Sequence, residues 1–292
     1  MTYSIIAFDA ASGKYGAAVQ SHWFNVAQIV PWVRFGVGAV VTQGRADPSY
    51  GWLGLDAMAG GADSGSALQR LLADDGDADR RQVALIDRAG EVAVHTGGRC
   101  ARYASHHVGD GWAVLGNLLS TDEVIPAMAE AFASSDGTLP DRMVAALEAA
   151  EEQGGDLRGA QSAAIRITSP AGPDRDAGVD VSVADHPDPV AELKRLLAID
   201  GAYRRLGQAD TALDAGDQAA AVSHLRQIGT STGQVELEFW RGVALARMGR
   251  LSDARHRLDD VFRRSPRFRE VLIRLAEVDP EIEHLLTSEM GN

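Results

Sequence analysis

With 292 residues, 45% of them hydrophobic, the chain is long enough for two globular domains. Its net charge of −13 and the absence of a basic stretch interleaved with aromatics argue against nucleic acid as a partner, and one cysteine, Cys100, excludes an intrachain disulfide or a thiolate metal cage. No apolar run approaches the roughly 18 residues of a membrane span, and the N-terminus lacks a positive segment with a small-residue cleavage site, so a cytoplasmic protein with no membrane partner is expected.

The first two-thirds alternates strand-like and helix-like stretches. Tyr3–Asp9 and Tyr15–Ser21 flank the turn-rich Ala10-Ala11-Ser12-Gly13-Lys14 and predict a hairpin. Val37–Gln43 is a third strand, Gln82–Asp87 and Glu91–Thr96 flank Arg88-Ala89-Gly90 as a second hairpin, and Trp112–Leu115, Ala160–Thr168 and Gly178–Val183 complete the set. Leu53–Asp74, Thr121–Ala133 and Leu139–Gln153 read as helices, the second opening on the capping-box pattern Ser120-Thr121-Asp122-Glu123. Runs such as Ser4-Ile5-Ile6-Ala7-Phe8 and Gly38-Ala39-Val40-Val41 are apolar on both faces, which requires a layer above and below each. Two sheets packed face to face with helices outside, an α+β sandwich of four layers, satisfy that demand.

After Asp185-His186-Pro187-Asp188-Pro189 the pattern becomes helical throughout, dividing the chain into residues 1–186 and 187–292. A period of about 33 residues runs through this tail, with Gly216, Ala221 and Leu225 recurring as Gly249, Ala254 and Leu258. The second copy, from Trp240 to Pro266, resembles a tetratricopeptide repeat, which implies a small all-α domain offering a surface to a protein or glycan partner. A plain helical appendage accounts for the same small residues.

Thr2 concentrates the chemistry. Methionine aminopeptidases remove Met1 before a small residue, and a free Thr2 would carry a hydroxyl nucleophile beside its own α-amine, a base titrating near pH ~8. A hairpin turning around Ala11-Ser12 sets Thr2 opposite Ser21 and Ser4 opposite Val19, and cross-strand partners lie ~4.5–5.5 Å apart. In this register Ser21 is placed to orient the amine or relay its proton, while His22, its neighbour, points to the other face; a register shifted by one residue exchanges their roles.

A Thr at a strand start, a tight hairpin and a polar end to the second strand resemble the N-terminal nucleophile (Ntn) hydrolases, whose αββα sandwich agrees with the inferred layers. More specifically, the strand Thr2–Asp9, Ala18-Val19-Gln20-Ser21, Val30-Pro31-Trp32, Gly36–Gln43, Asp47-Pro48-Ser49-Tyr50-Gly51, His95-Thr96-Gly97, Gly116-Asn117-Leu118-Leu119, Gly154-Gly155-Asp156 and Gln161-Ser162-Ala163-Ala164 are similar to a bacterial family, the domain-of-unknown-function 1028 family, placed in that superfamily. The resemblance covers about residues 2–186 and strengthens the fold more than the activity. Asp47 departs from it, since asparagine is expected there.

On this basis Thr2, Ser21 and Asn117 are the candidate catalytic residues, Asn117 supplying an amide donor to a developing oxyanion unless it merely caps a turn. His22, Gln43, Asp47, Tyr50, His95, Gln161 and Ser162 are candidate substrate contacts. His22, His95, His106 and His107 lack metal-ligand spacing, and no nucleotide loop is present, so neither metal nor cofactor is expected. Such sandwiches often pair, and Trp23-Phe24 with Pro31-Trp32 suit an interface or a pocket wall, so a homo-oligomer is expected. The leading expectation is an amidohydrolase cleaving a carbon–nitrogen bond, amide or ureide-like, of a small molecule or peptide fragment. The rival is a non-catalytic module binding a small molecule or cell-wall fragment, its helical tail recruiting a partner, because a fold can outlive its chemistry.

Overall fold

A computed structural model of the chain describes residues 2–169, 178–229, 233–278 and 282. The chain falls into two compact units, the first ending at Leu196 and the second starting at Leu197.

The first unit holds ten strands among its described residues: β1 Thr2–Asp9, β2 Lys14–Ser21, β3 Pro31–Arg34, β4 Gly38–Gly44, β5 Arg81–Asp87, β6 Val92–Thr96, β7 Ser105–Gly109, β8 Trp112–Asn117, β9 Ser162–Ile167 and β10 Val179–Val183. They form two antiparallel sheets, ordered β10-β9-β2-β1-β8-β7 and β3-β4-β5-β6. The first hairpin pairs Ser4 with Val19, as its short turn demands. Two strands carry no apolar alternation and were not foreseen: β3, which starts on a proline, and β7, whose residues are mostly exposed. Both are sheet edges, where pairing comes from a neighbour and not from a buried face.

Strand alternation sorts the side chains into two faces. Ile6, Ala17, Val19, Ala39, Val41, Ala84, Ile86, Ala113, Leu115 and Ala164 meet between the sheets in one core. The opposite row of the smaller sheet, Val40, Val83 and Leu85, packs against Tyr50, Leu55, Met58, Ala67 and Leu68 of the helices α1 Ser49–Ala59 and α2 Ser64–Ala73. On the larger sheet, α3 Val124–Ser134 lies against β7 and β8, and α4 Leu139–Glu152 against β1 and β2. The order helix, sheet, sheet, helix answers the demand of strands that are apolar on both faces.

Two helical expectations are corrected. The single helix expected over Leu53–Asp74 is two, because Gly61 turns at φ +96° and the Asp63 side chain then accepts from Ser66 N as the cap of α2. Ser120 and Thr121 do not cap α3: their hydroxyls donate to Gly154 O and Gln153 O, tying the approach to α3 to the turn after α4.

The helix α5 Pro189–Asp214 runs into the second unit, which continues with α6 Gln218–Gln227, α7 Val235–Arg247, α8 Leu251–Arg264 and α9 Arg267–Ala276. Gly216 and Gly249, at φ +76° and +73°, make the turns before α6 and α8, a conformation costly for any residue with a Cβ. Ala221 and Ala254 follow at the same spacing, both fully buried, and Leu225 and Leu258 fill the next turn of each helix.

Candidate active site

The inward rows that carry the apolar core turn polar at one end of the sandwich. On β1 the row Ile6, Ser4, Thr2 runs from core to hydroxyls; on β2 Ala17 and Val19 lead to Ser21; on β4 Ala39 and Val41 lead to Gln43; on β5 Ile86 and Ala84 lead to Gln82; on β8 Ala113 and Leu115 lead to Asn117; on β9 Ala164 leads to Ser162. All seven polar residues are buried. Buried polar groups at this density need mutual partners, and they have them.

Thr2 Oγ1 lies 2.9 Å from Ser21 Oγ. Ser4 Oγ donates to Gln43 Oε1 at 2.7 Å, and Gln43 Nε2 donates to Gln82 Oε1 at 2.8 Å with longer approaches of 3.3 Å to Thr2 O and Leu115 O. Asn117, register partner of Thr2, donates from Nδ2 to the same Gln82 Oε1 at 3.0 Å. Gln82 Nε2 in turn reaches Gly116 O at 2.8 Å and Ser105 O at 3.0 Å. The two sheets are thus clamped by amides at the end where Thr2 sits.

Beside this layer opens a cavity of about 330 Å3, with Thr2, Ser21 and Gln43 in its wall. Trp23, Val26, Ile29 and Val30 supply apolar surface, and Arg45 and Arg158 are its cations. Ser162, the register partner of Ser21, donates to Trp23 O at 2.6 Å and accepts from Val26 N at 3.2 Å, so it holds the loop that forms one wall. His22 lies on the opposite row; its backbone N–H donates to Asp156 Oδ2 at 3.0 Å. Asp156 is fully enclosed and binds Arg158 through Nε at 3.2 Å and Nη2 at 3.1 Å.

The remaining expected contacts lie elsewhere. Asp47 and Tyr50 line a separate cavity of about 250 Å3. Tyr50 Oη donates to Asp75 Oδ2 at 2.8 Å, burial and this carboxylate pushing its phenol well above the ordinary range, while Arg81 holds the Asp75 carboxyl far below the usual carboxylate value. Asp47 accepts from Ser49 N at 2.9 Å and faces Arg81 at 3.5 Å. His95 Nε2 bonds Ala78 O at 2.8 Å, and Gln161 Nε2 donates to Asp185 Oδ1 at 3.1 Å. Among the described residues no group of three His, Cys, Asp or Glu is gathered as a metal site.

Gln82 and Arg158 escaped the sequence reading, and Asp156 entered it only within the motif Gly154-Gly155-Asp156, with no role given to it. A glutamine continuing the inward row Ile86, Ala84 was a usable signal for Gln82; no spacing announces that Asp156, which holds Arg158 two residues on, also accepts from the backbone of His22, far away in sequence.

Two antiparallel sheets between layers of helices, with a strand-end hydroxyl pair in the wall of a cavity at one end, define a layered protein of mixed α/β structure. The chain belongs to the family of unknown function DUF1028, whose model matches residues 2–193. It is similar to the crystal structure of protein SPO2555 from Silicibacter pomeroyi, of the same family, at 29% identity and a TM-score of 0.62, covering 67% of this chain and 87% of that one. Anbu (ancestral beta-subunit) from Yersinia bercovieri aligns at 11% identity and a TM-score of 0.34, over 66% of this chain and 92% of its own. No curated protein matches.

Proposed function

We propose that the protein is an N-terminal-nucleophile amidohydrolase cleaving a carbon–nitrogen bond of a small molecule or peptide fragment, with Thr2 as nucleophile. The observation that carries this reading is the Thr2 Oγ1 to Ser21 Oγ contact of 2.9 Å in the wall of a cavity. With Met1 removed, the Thr2 amine takes the hydroxyl proton, directly or through Ser21, and Oγ1 attacks the substrate carbonyl. Backbone amides and the Asn117 Nδ2 hydrogen that Gln82 Oε1 does not take bear the oxyanion, one such donor being worth about 2.7–4 kcal/mol of barrier. The amine returns its proton to the leaving nitrogen, the C–N bond breaks, and water activated by the same amine releases the acyl group from Thr2. Gln43 steadies the Thr2 carbonyl throughout. The chemistry is complete with these residues and water. The helical unit is read as a tetratricopeptide-like platform for a protein or glycan partner.

The test is a screen of small amides, ureides and acylated amino acids against wild type and Thr2→Ala, with intact-mass measurement of the protein from its native host. Turnover in wild type, its abolition in Thr2→Ala at unchanged melting temperature, and loss of Met1 are the expected results. Retained turnover in Thr2→Ala, or stoichiometric retention of Met1, refutes the mechanism.

A further inference from the structure

Resting on that reading of Thr2, we propose that the cavity selects small amides or ureides that carry a free carboxylate beside an apolar or aromatic group, with Arg158 as the carboxylate receptor and Arg45 as a second cation. The lining of the cavity contains two arginines and no acidic residue, in a chain with 41 acidic against 28 basic residues. The wall itself presents cations and no carboxylate, the counter-charges standing behind it, Asp156 on Arg158 at 3.1 Å and Asp77 on Arg45 at 3.4 Å. The volume of about 330 Å3 stands at the small end of ligand pockets, which run ~300–1,000 Å3, so the occupant is a small molecule or a short fragment and not a chain.

Arg158 is held as a receptor requires. Its Nε and Nη2 edge lies against Asp156, whose carboxylate is fully enclosed and whose Oδ2 also accepts from the backbone of His22, the residue after Ser21. The guanidinium plane is thereby pegged to the end of β2, the strand paired with that of Thr2, two hydrogen bonds from Ser21's neighbour, and its side chain is 35% exposed. A planar cation fixed in this way recognises a carboxylate directionally, which a mobile lysine does not. Asp156 is a positioning residue for Arg158. Trp23, 56% exposed, and Ile29 and Val30 supply the face for the apolar group.

The experiment uses the full chain carrying Thr2→Ala, which binds without turnover, and two matched probes, N-acetylphenylalanine and N-acetylphenylalaninamide, titrated calorimetrically. The acid is expected to bind at least tenfold more tightly than the amide. Arg158→Ala should erase that preference and Arg158→Lys should restore part of it, with Arg158→Gln used if the alanine variant melts early. Equal affinity for both probes, failure of both to bind at millimolar concentration, or a preference unchanged in Arg158→Ala or Arg158→Gln overturns the proposal. Because the readout is binding, failure of the Thr2 chemistry leaves this result standing, and hydrolysis of neutral amides with no acid preference sinks the carboxylate receptor alone.

Discussion

Gln43 and Gln82 are register partners on adjacent strands, and the amide of the first donates to the amide oxygen of the second at 2.8 Å on the face turned toward the opposite sheet. From that bond the pair reaches Ser4, Thr2, Leu115, Asn117 and Gly116 on the other sheet. Thr2 therefore sits on a strand whose position is set by two buried amides belonging to a different sheet.

Removing Gln82 tests this clamp. Gln82→Ala leaves the donors of Gln43 and Asn117 and the carbonyl of Gly116 buried without their partner, and each such orphan costs about 1–3 kcal/mol. A loss of roughly 3 kcal/mol in urea denaturation is expected, with the slope unchanged. Gln82→Glu keeps the acceptor for Gln43 and Asn117 but cannot donate to Gly116 O, so it too should destabilise. A wild-type midpoint in either variant would mean that the network contributes nothing.

Ser21→Ala removes the hydroxyl 2.9 Å from Thr2 while leaving the strand paired on both sides. A relay or orienting group acts mainly on the chemical step, so kcat should fall about 100-fold, at the low end for acid–base groups, with KM nearly constant. A rise in KM at constant kcat would assign Ser21 to substrate binding instead.

Away from the site, Asp75 receives Arg81 Nε at 2.7 Å and Tyr50 Oη at 2.8 Å. The Arg81 hydrogen bond, with help from the Asp77 backbone and Tyr50, holds its carboxyl well below the ordinary value. A depressed folded-state value means stability that is fully present above the unfolded pKa of ~3.9 and is lost as pH falls from there toward the folded one. Asp75→Asn should thus cost about 2 kcal/mol at pH 7, in the range for hydrogen bonds to charged groups. Its gap from wild type should narrow below pH ~4, read from denaturation midpoints across pH. A gap constant with pH would show that Asp75 acts by packing alone.

Gly51 in α1 faces the Trp32 ring so closely that an added Cβ would stand 2.3 Å from it. Alanine gains up to about 1 kcal/mol of helix propensity, but overpacking of a ring fixed by its Nε1 bond to Ile29 O costs about 1–3 kcal/mol. Gly51→Ala should lower stability on balance. Since Ile29 and Val30 wall the cavity, KM should rise as well; a more stable variant with unchanged KM would show that the ring gives way freely.

The legible part of this chain was local. Alternation and the short turn placed Ser4 against Val19, apolar runs on both faces called for layers on both sides, and the recurrence of Gly216, Ala221 and Leu225 announced paired helices. Two of the four edge strands were silent, β7 because it is nearly all exposed and β3 because it opens on proline.

By itself the sequence determined that the central strands are apolar on both faces and that a hydroxyl pair ends the first hairpin, since these follow from composition and register over a few residues. Only the tertiary structure decided that Gln43 and Gln82 bridge to the strand of Thr2, that Asp156 joins Arg158 to His22, and that Tyr50 turns away to Asp75. Those contacts link segments brought together by sheet stacking and helix docking, and no spacing along the chain records which buried polar group will find which partner.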